Sequence, residues 1–315
     1  MIKRILGSTG ITIASIVLGG NVFGWTIDEK TSFEVLDAFV DHGFDAIDTA
    51  DCYSNWVPGN QGGESETIIG KWLKARPGVR DKVKIITRVG SDLGTPGQKG
   101  LSERWLLQAV EGSLSRLGIE QIDVYFSHWP DPSVGYEETL TAYDKLLKAG
   151  KIKAIGASNY DATLLKTALE VAKANGLPAY QVLEPEYNLY DRAAFDVRNL
   201  CIVENIGVIT YYSLASGFLS GKYRSEADLG KSQRGQGIAK YMTARDQAIL
   251  KALDEVSAEH GVEPAQIALA WLIAREGVIA PTASATRVAH VEGFARAASL
   301  QLSVDQIAQL DRVSA

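Results

Sequence analysis

Eight short, nearly continuous apolar runs recur along this chain, and stretches with helical spacing separate them. Strands without a polar face are typical of parallel sheets that helices cover on both sides. Eight such units in 315 residues favour a closed barrel over an open sheet. The sequence therefore predicts an α/β fold, a (β/α)8 TIM barrel. The predicted strands are residues 16–21, 44–49, 83–88, 122–127, 152–157, 180–183, 208–212 and 278–280.

Apolar residues at helical spacing also predict more helices than eight barrel units need. Residues 2–7 and 11–17 flank a turn and predict an N-terminal β-hairpin. An insert rich in Gly, Ser, Lys and Arg occupies 221–242, and no linker divides the chain. We expect one domain, 1–315, with extra C-terminal helices. The predicted helices are residues 31–42, 65–75, 102–117, 136–148, 162–174, 193–205, 244–260, 264–275, 286–298 and 304–313.

The composition favours a protein that acts on small molecules. The formal net charge is −6, and Lys and Arg form no run that would indicate a nucleic-acid or acidic-membrane surface. No stretch approaches the ~20 apolar residues that a membrane helix needs. Cys52 and Cys201 form no disulfide or metal-binding pattern, and the four histidines lack metal-ligand spacing. We expect a cytoplasmic protein without a metal site, a nucleic-acid partner or a membrane segment.

Polar residues at the ends of the predicted strands are the candidates for chemistry, because active sites of such barrels lie at the carboxyl ends of the strands. Asp48 and Arg88 end the second and third strands. His128 follows the fourth strand, and Tyr53 lies in the loop after Asp48. Singly, they could be a turn residue, an ion-pair partner or a core histidine. Together, an acid, a phenol, a cation and an imidazole suit proton transfer to a carbonyl oxygen.

Several motifs allow comparison with a known family. They are residues 43–53, 62–66, 122–129, 155–160, 185–188 and 217–223. With these motifs the chain resembles the aldo-keto reductases, from residue 6 to the final helix, including members related to potassium-channel beta subunits. The resemblance implies hydride transfer between a nicotinamide dinucleotide, NADP(H) rather than NAD(H), and a small carbonyl or alcohol substrate. It also implies cofactor binding without a Rossmann fold, and the chain contains no GxGxxG.

The resemblance implies a role for each candidate residue. Tyr53 would be the proton donor, His128 would hold the carbonyl oxygen, and Asp48 would fix the neighbouring cation. Arg287 is the candidate for the 2′-phosphate, with a solvated residue at a helix start as the equal alternative. The tryptophans that could form the substrate pocket are Trp25, Trp56 and Trp129. The implied cofactor residues are Gly20, Asn21, Asp48, Ser158, Asn159, Glu184, Tyr211, Leu214, Ser216, Gly217, Lys222, Thr286, Arg287 and His290.

Two positions depart from the family pattern. Arg88 stands where the family has a catalytic lysine, and Glu184 stands where it usually has a glutamine. Arginine keeps the charge but is bulkier and effectively never deprotonated, so we expect reduced or altered turnover. A carboxylate beside the nicotinamide would favour the oxidised, positively charged ring. The changes are compatible with natural specialisation, with engineering or with loss of activity.

Three functions are compatible with these features. The first is an aldo-keto reductase or alcohol dehydrogenase, with Arg88 and Asp48 tuning Tyr53. The second is a cofactor-binding sensor or regulatory subunit with little turnover. A barrel lyase or isomerase without nicotinamide ranks below both, because it would need phosphate or metal machinery that the histidine spacing does not supply.

Overall fold

The computed structural model describes residues 2–232, 235–241 and 243–315, and its centre is a closed barrel of eight parallel strands. The predicted (β/α)8 barrel and its N-terminal hairpin are thereby confirmed. The hairpin strands are β1 (Lys3–Ile5) and β2 (Thr12–Ala14). The barrel strands are β3 (Val17–Gly19), β4 (Ala46–Asp48), β5 (Lys84–Val89), β6 (Ile122–Ser127), β7 (Ile152–Ser158), β8 (Val182–Glu184), β9 (Gly207–Thr210) and β10 (Val278–Ala283). Around the barrel, these strands follow the order β10-β3-β4-β5-β6-β7-β8-β9.

Helices cover the outside of the barrel and continue past its last strand. The predicted insert at 221–242 contains two 3-10 segments, Glu226–Lys231 and Gly235–Tyr241, and its residues 233, 234 and 242 lie outside the described part. No helix among the described residues is long and apolar enough to cross a membrane. The helices are α1 (Glu29–Asp41), α2 (Glu64–Ala75), α3 (Glu103–Leu117), α4 (Tyr136–Lys148), α5 (Ala162–Asn175), α6 (Phe195–Val203), α7 (Ala244–His260), α8 (Pro264–Ile273), α9 (Val288–Ser299) and α10 (Val304–Val313).

Local sequence signals set several of these boundaries. The side chains of Asp28, Ser102 and Asp161 each accept a backbone N–H at the start of a helix, which satisfies a donor that the helix leaves unbonded. Gly118 and Gly176 end α3 and α5 in the left-handed conformation that glycine adopts without steric cost. The loops that follow β3, β5 and β7 therefore end at helices whose first turn is capped.

The hairpin closes the amino-terminal end of the barrel. Leu6 and Ile13 are fully buried and belong to the same apolar cluster as the inward-facing residues of the barrel strands. Gly7 has a φ of +56°, and a Cβ there would lie 2.3 Å from the nitrogen of Gly207, so the hairpin can approach β9 closely only with glycine at that position. The hairpin therefore covers the end of the barrel that lies opposite the carboxyl rim.

Two strands, β3 and β9, end two residues earlier than the sequence predicts. β3 stops at Gly19, and the predicted strand residues Gly20 and Asn21 form a 3-10 turn. β9 stops at Thr210, because Tyr211 forms only an isolated bridge to Glu186. Tyr212 beyond it has a φ of +50°, which no strand residue adopts. At both places the chain leaves the barrel wall earlier and forms the rim.

Gly156 sets the packing beneath the rim. A Cβ on Gly156 of β7 would lie 2.5 to 2.7 Å from the Phe126 ring of β6. The Arg88 guanidinium lies 5.7 Å from the centre of the same ring. Glycine on β7 therefore gives Phe126 the space from which it supports Arg88.

We predict that Gly156→Ala lowers the free energy of unfolding by about 1 to 3 kcal/mol, because the extra methyl overfills a closely packed interior. Denaturant unfolding of the purified protein measures the change. Gly230→Ala is the matched control, since a Cβ there meets no atom within 4 Å. Equal stability of Gly156→Ala and the parent protein would contradict the packing argument.

Candidate active site

A cavity of about 1090 Å³ opens at the carboxyl rim of the barrel. It brings together all the predicted site residues except Gly20 and Trp25. Gly20 is buried, and its carbonyl accepts a hydrogen bond from Ser65. The functional roles of all the predicted site residues stay predictions. The predicted residues that line the cavity are Asn21, Asp48, Tyr53, Trp56, Arg88, His128, Trp129, Ser158, Asn159, Glu184, Tyr211, Leu214, Ser216, Gly217, Lys222, Thr286, Arg287 and His290.

The floor of the cavity is a buried ion cluster formed by Asp48, Arg88 and Glu184. Arg88 Nη2 donates to Asp48 Oδ1, and Arg88 Nη1 lies 2.7 Å from Glu184 Oε2. The exposed fractions of the three side chains are at most 3%. No hydrogen bond of good geometry reaches either Glu184 oxygen from the described residues. The two positions that depart from the family pattern are therefore in direct contact.

The cluster contains two carboxyl groups and one guanidinium. Burial raises the pKa of Asp48 well above its usual value, against the opposing effect of Arg88, and Glu184 raises it further. Burial likewise raises the pKa of Glu184, again against Arg88. Two carboxylates that share one site and one cation cannot both ionise at low cost. The Asp48 and Glu184 carboxyl groups therefore share a single positive charge, that of Arg88.

Tyr53 lies above this cluster. The Arg88 guanidinium carbon is 5.7 Å from the centre of the Tyr53 ring, and the phenol interacts electrostatically with both Arg88 and Asp48. Burial raises the pKa of Tyr53 well above its usual value. Arg88 acts in the opposite direction, as the sequence suggested, but does not outweigh burial. Tyr53 is therefore a neutral phenol that can donate a proton.

His128 faces Tyr53 across the cavity, with 6.4 Å between ring centres. Its Nδ1 lies 2.9 Å from Ser91 Oγ and 3.7 Å from Cys52 Sγ. Burial and the charge of Arg88 lower the pKa of His128 well below its usual value, so the imidazole is neutral at neutral pH. Because Ser91 holds Nδ1, the other ring nitrogen is available for a ligand.

A chain of hydrogen bonds crosses the rim beside these residues. Ser158 Oγ donates to the carbonyl of Glu184. Asn159 Nδ2 donates to the carbonyl of His128, and its Oδ1 accepts from the Tyr211 hydroxyl at 2.6 Å. These bonds fix an amide, a hydroxyl and an aromatic ring on the side of the cavity next to the ion cluster.

The loop after β9 has an unusual backbone. Ala215, Ser216 and Gly217 have φ values of 46°, 58° and 101° in succession. Non-glycine residues adopt this region at a cost of about 1 to 2 kcal/mol each, and such segments cluster at ligand sites. Lys222 lies beside this loop, since its Nζ would be 3.5 Å from a Cβ on Gly217. Turns of this kind with a lysine suit an anion.

The far end of the cavity carries more positive charge. Arg287 precedes α9 and is exposed, and its Nε donates to His290 Nε2 at 3.1 Å. Burial and Arg287 lower the pKa of His290. Arg296 also lines the cavity, although the sequence analysis did not select it. Positions 289, 293 and 296 all line the cavity, so the helical spacing of α9 is the signal that would have identified Arg296.

Aromatic side chains form the outer wall near Tyr53 and His128. Trp56 and Trp129 are 47% and 50% exposed, and both line the cavity. Trp129 stacks on His128, and Trp25 packs edge-on against Trp56 from behind, with 5.4 Å between ring centres. Trp25 thus supports the wall without lining the cavity.

Ser91, which contacts the His128 ring, was not predicted from the sequence. It follows the end of β5 by two residues, so the strand-end argument applied to Arg88 would also have found it. Asn21, by contrast, was predicted and is held by Ser284, whose Oγ donates to its Oδ1 at 2.6 Å. Residues in the loop directly after a strand are thus as informative as the residue that ends the strand.

A model of the aldo/keto reductase family matches residues 15–315. The chain belongs to this family. The family supports an oxidoreductase activity, and its members generally use NAD(P)H. The resemblance inferred from the sequence is therefore confirmed at the level of the family.

Three relatives illustrate its range. The uncharacterized oxidoreductase YrpG of Bacillus subtilis is 29% identical over 315 residues, which cover 98% of this chain and 94% of that protein. A putative voltage-gated potassium channel subunit beta of Schizosaccharomyces pombe is 31% identical over 288 residues, covering 86% and 80%. An uncharacterized 11.2 kDa protein in the crtE 3′ region of Pseudescherichia vulneris is 61% identical over 93 residues, covering 30% and 90%.

We predict that Arg88→Met lowers the free energy of unfolding by about 3 to 5 kcal/mol, because it leaves two buried carboxyl groups without a cation. Adding Glu184→Gln to Arg88→Met should recover part of the lost stability, since it removes one of the two buried carboxyl groups. Denaturant unfolding of the two variants measures both effects.

The control for Arg88→Met is Lys71→Met, which removes the cation of an exposed ion pair with Glu29. It should cost less than about 1 kcal/mol. If Glu184→Gln brings no recovery in the Arg88→Met background, Arg88 and Glu184 are not energetically coupled.

Proposed function

We propose that this protein interconverts aldehydes or ketones and the matching alcohols by hydride transfer, with NADP(H) as its cofactor. The observation that supports this most is the facing pair of a neutral phenol, Tyr53, and a neutral imidazole, His128, above a buried ion cluster. A nicotinamide dinucleotide supplies the hydride when it is bound. Both free cysteines, Cys52 and Cys201, are buried, which is compatible with the expected cytoplasmic location.

Proton transfer to the carbonyl oxygen is the step for which the chain's own residues are suited. His128, fixed through Ser91, would hold the carbonyl oxygen with its remaining ring nitrogen. Tyr53 would give its proton to that oxygen during reduction and take one back during oxidation. Asp48 would fix Arg88, with which it is paired, and Arg88 lies beside the Tyr53 ring.

The rim fits an extended dinucleotide. The ring of Tyr211, held through Asn159, offers a flat apolar face beside Ser158. The left-handed turn at 215–217 together with Lys222 suits a pyrophosphate. Arg287 suits the 2′-phosphate that distinguishes NADP(H) from NAD(H), because a guanidinium pairs bidentately with phosphate.

The substrate side of the cavity is aromatic. Trp56 and Trp129 expose broad faces next to the phenol and the imidazole. Flat or apolar groups attached to the carbonyl carbon would bury against these faces, which stabilises binding in proportion to the apolar area removed from water. Small aliphatic or aromatic carbonyl compounds are the substrate class that we propose.

A sensor or regulatory role is the second candidate. Relatives that carry the name of potassium channel subunit beta favour it, and so does Arg88 in place of the family's lysine. Such a protein would bind the cofactor and transfer hydride slowly or not at all. Measurements of binding and turnover on the same preparation separate the two roles.

We predict that Tyr53→Phe reduces the rate constant of hydride transfer by roughly 10²- to 10⁴-fold, the usual contribution of a general acid. The absorbance of reduced nicotinamide, followed with both cofactors, in both directions and over a panel of aldehydes and ketones, measures the rate. Cofactor affinity should persist, because the variant keeps the ring.

Tyr136→Phe serves as the control, because Tyr136 lies at the start of α4 and outside the cavity. Unchanged turnover in Tyr53→Phe would exclude the phenol as proton donor. Tight cofactor binding by the parent protein, with no transfer to any carbonyl of the panel, would favour the sensor role.

We predict that Arg287→Ala weakens NADP(H) binding by roughly 10-fold or more and leaves NAD(H) binding unchanged, because only the former carries the 2′-phosphate. Fluorescence titration gives the dissociation constants. Arg312→Ala, an exposed arginine on α10, is the control. Equal losses for both cofactors would assign Arg287 to another part of the dinucleotide, and no loss would make it a solvated residue.

A further inference from the structure

The number of charges on the cavity floor leads to an inference about cofactor binding that rests on the proposed function. Arg88 is the one cation among the described residues that forms an ion pair with Asp48 or Glu184. All three side chains are almost inaccessible to solvent. With both carboxyl groups ionised, the cluster would bury a net negative charge, which is costly in a site of low polarity.

Among the residues that the structure describes, no second cation forms an ion pair with the cluster. Burial raises the pKa of Tyr53 and Cys52 and lowers that of His128, so these three side chains are neutral at neutral pH. Burial also raises the pKa of Asp51, which carries no positive charge in either state. On this side, β7 and β10 contribute the uncharged Ser158 and Thr282, and the uncharged Asn21 and Asn159 follow the ends of β3 and β7. At the outer edge, Glu186 and Tyr211 also have raised pKa values, mainly through burial.

We propose that the Asp48–Arg88–Glu184 cluster holds one proton in the free protein and releases it to solvent when the oxidised nicotinamide binds. The oxidised ring carries a positive charge, which stabilises the doubly ionised carboxyl pair. The reduced ring is neutral, so the cluster keeps its proton when the reduced cofactor binds. Glu184 is the residue that creates this linkage, since Asp48 and Arg88 alone are a balanced pair.

The linkage makes the preference for the oxidised cofactor depend on pH. Because release of a proton accompanies binding, the affinity for the oxidised form increases as pH rises. The affinity increases over the pH range that lies between the pKa of the cluster in the complex and its higher pKa in the free protein. One proton corresponds to a change of at most about tenfold in the dissociation constant per pH unit. The affinity for the reduced form lacks this dependence.

Calorimetric titration of the full-length protein with NADP⁺ and, separately, with NADPH tests the proposal. Each titration is performed at neutral pH in two buffers of different ionisation enthalpy, which gives the number of protons exchanged. The 2′-phosphate is common to both cofactors, so the difference between them isolates the ring. We expect release of about one more proton per NADP⁺ than per NADPH. Equal proton numbers for the two cofactors would overturn the proposal.

Variants identify the source of the proton. Glu184→Gln should abolish the difference between NADP⁺ and NADPH, with thermal unfolding as the check that the variant is folded. Glu186→Gln, a carboxylate at the edge of the same cavity, and Tyr53→Phe should both retain it. Loss of the difference in either of these two would assign the proton elsewhere and overturn the role of the cluster. Absence of binding by both cofactors would instead contradict the proposed function.

Discussion

The guanidinium of Arg88 joins strands that are not neighbours in the barrel. Asp48 lies on the adjacent strand β4, whereas Glu184 lies on β8, which β6 and β7 separate from β5. Only a long side chain with a planar, forked head can contact both carboxyl groups across the interior. The phenol and the imidazole lie above this contact, so the position of the proposed reacting groups depends on it. Phe126 supports it from below, in the space that Gly156 leaves.

The two departures from the family pattern are thus a single structural change. Considered separately, an arginine in place of lysine predicts a bulkier cation beside Tyr53, and a glutamate in place of glutamine predicts a carboxylate that favours the oxidised nicotinamide. Their contact relates the two positions directly. Nη1 of Arg88 lies 2.7 Å from Oε2 of Glu184, so the Glu184 carboxyl group is buried against a cation. The pairing does not neutralise the site fully, because Asp48 is already bound to the same guanidinium.

Much of the fold could be predicted from the sequence, because helix and strand periods are local properties. The barrel, its hairpin and the convergence of Asp48, Tyr53, Arg88 and His128 follow from strand order and from the shared rim of parallel strands. The contact of Arg88 with Glu184 could not be predicted, because no periodicity relates residues on strands three places apart. The direction of the pKa shift of Tyr53 could not be predicted either. Burial raises this pKa more than Arg88 lowers it, and the degree of burial depends on the folded rim.

The hairpin at the opposite end has a consequence for the kinetics of this site. Leu6 and Ile13 fill the amino-terminal end of the barrel together with the apolar residues beneath the cluster, all of them fully buried. Apolar side chains thus cover the carboxyl pair on this side, whereas the cavity at the carboxyl rim reaches it past the phenol and the imidazole. A molecule that fills this cavity therefore slows the exchange of protons between the cluster and bulk solvent. Hydrogen isotope exchange at the cluster would accordingly be slowest in complexes that close the rim.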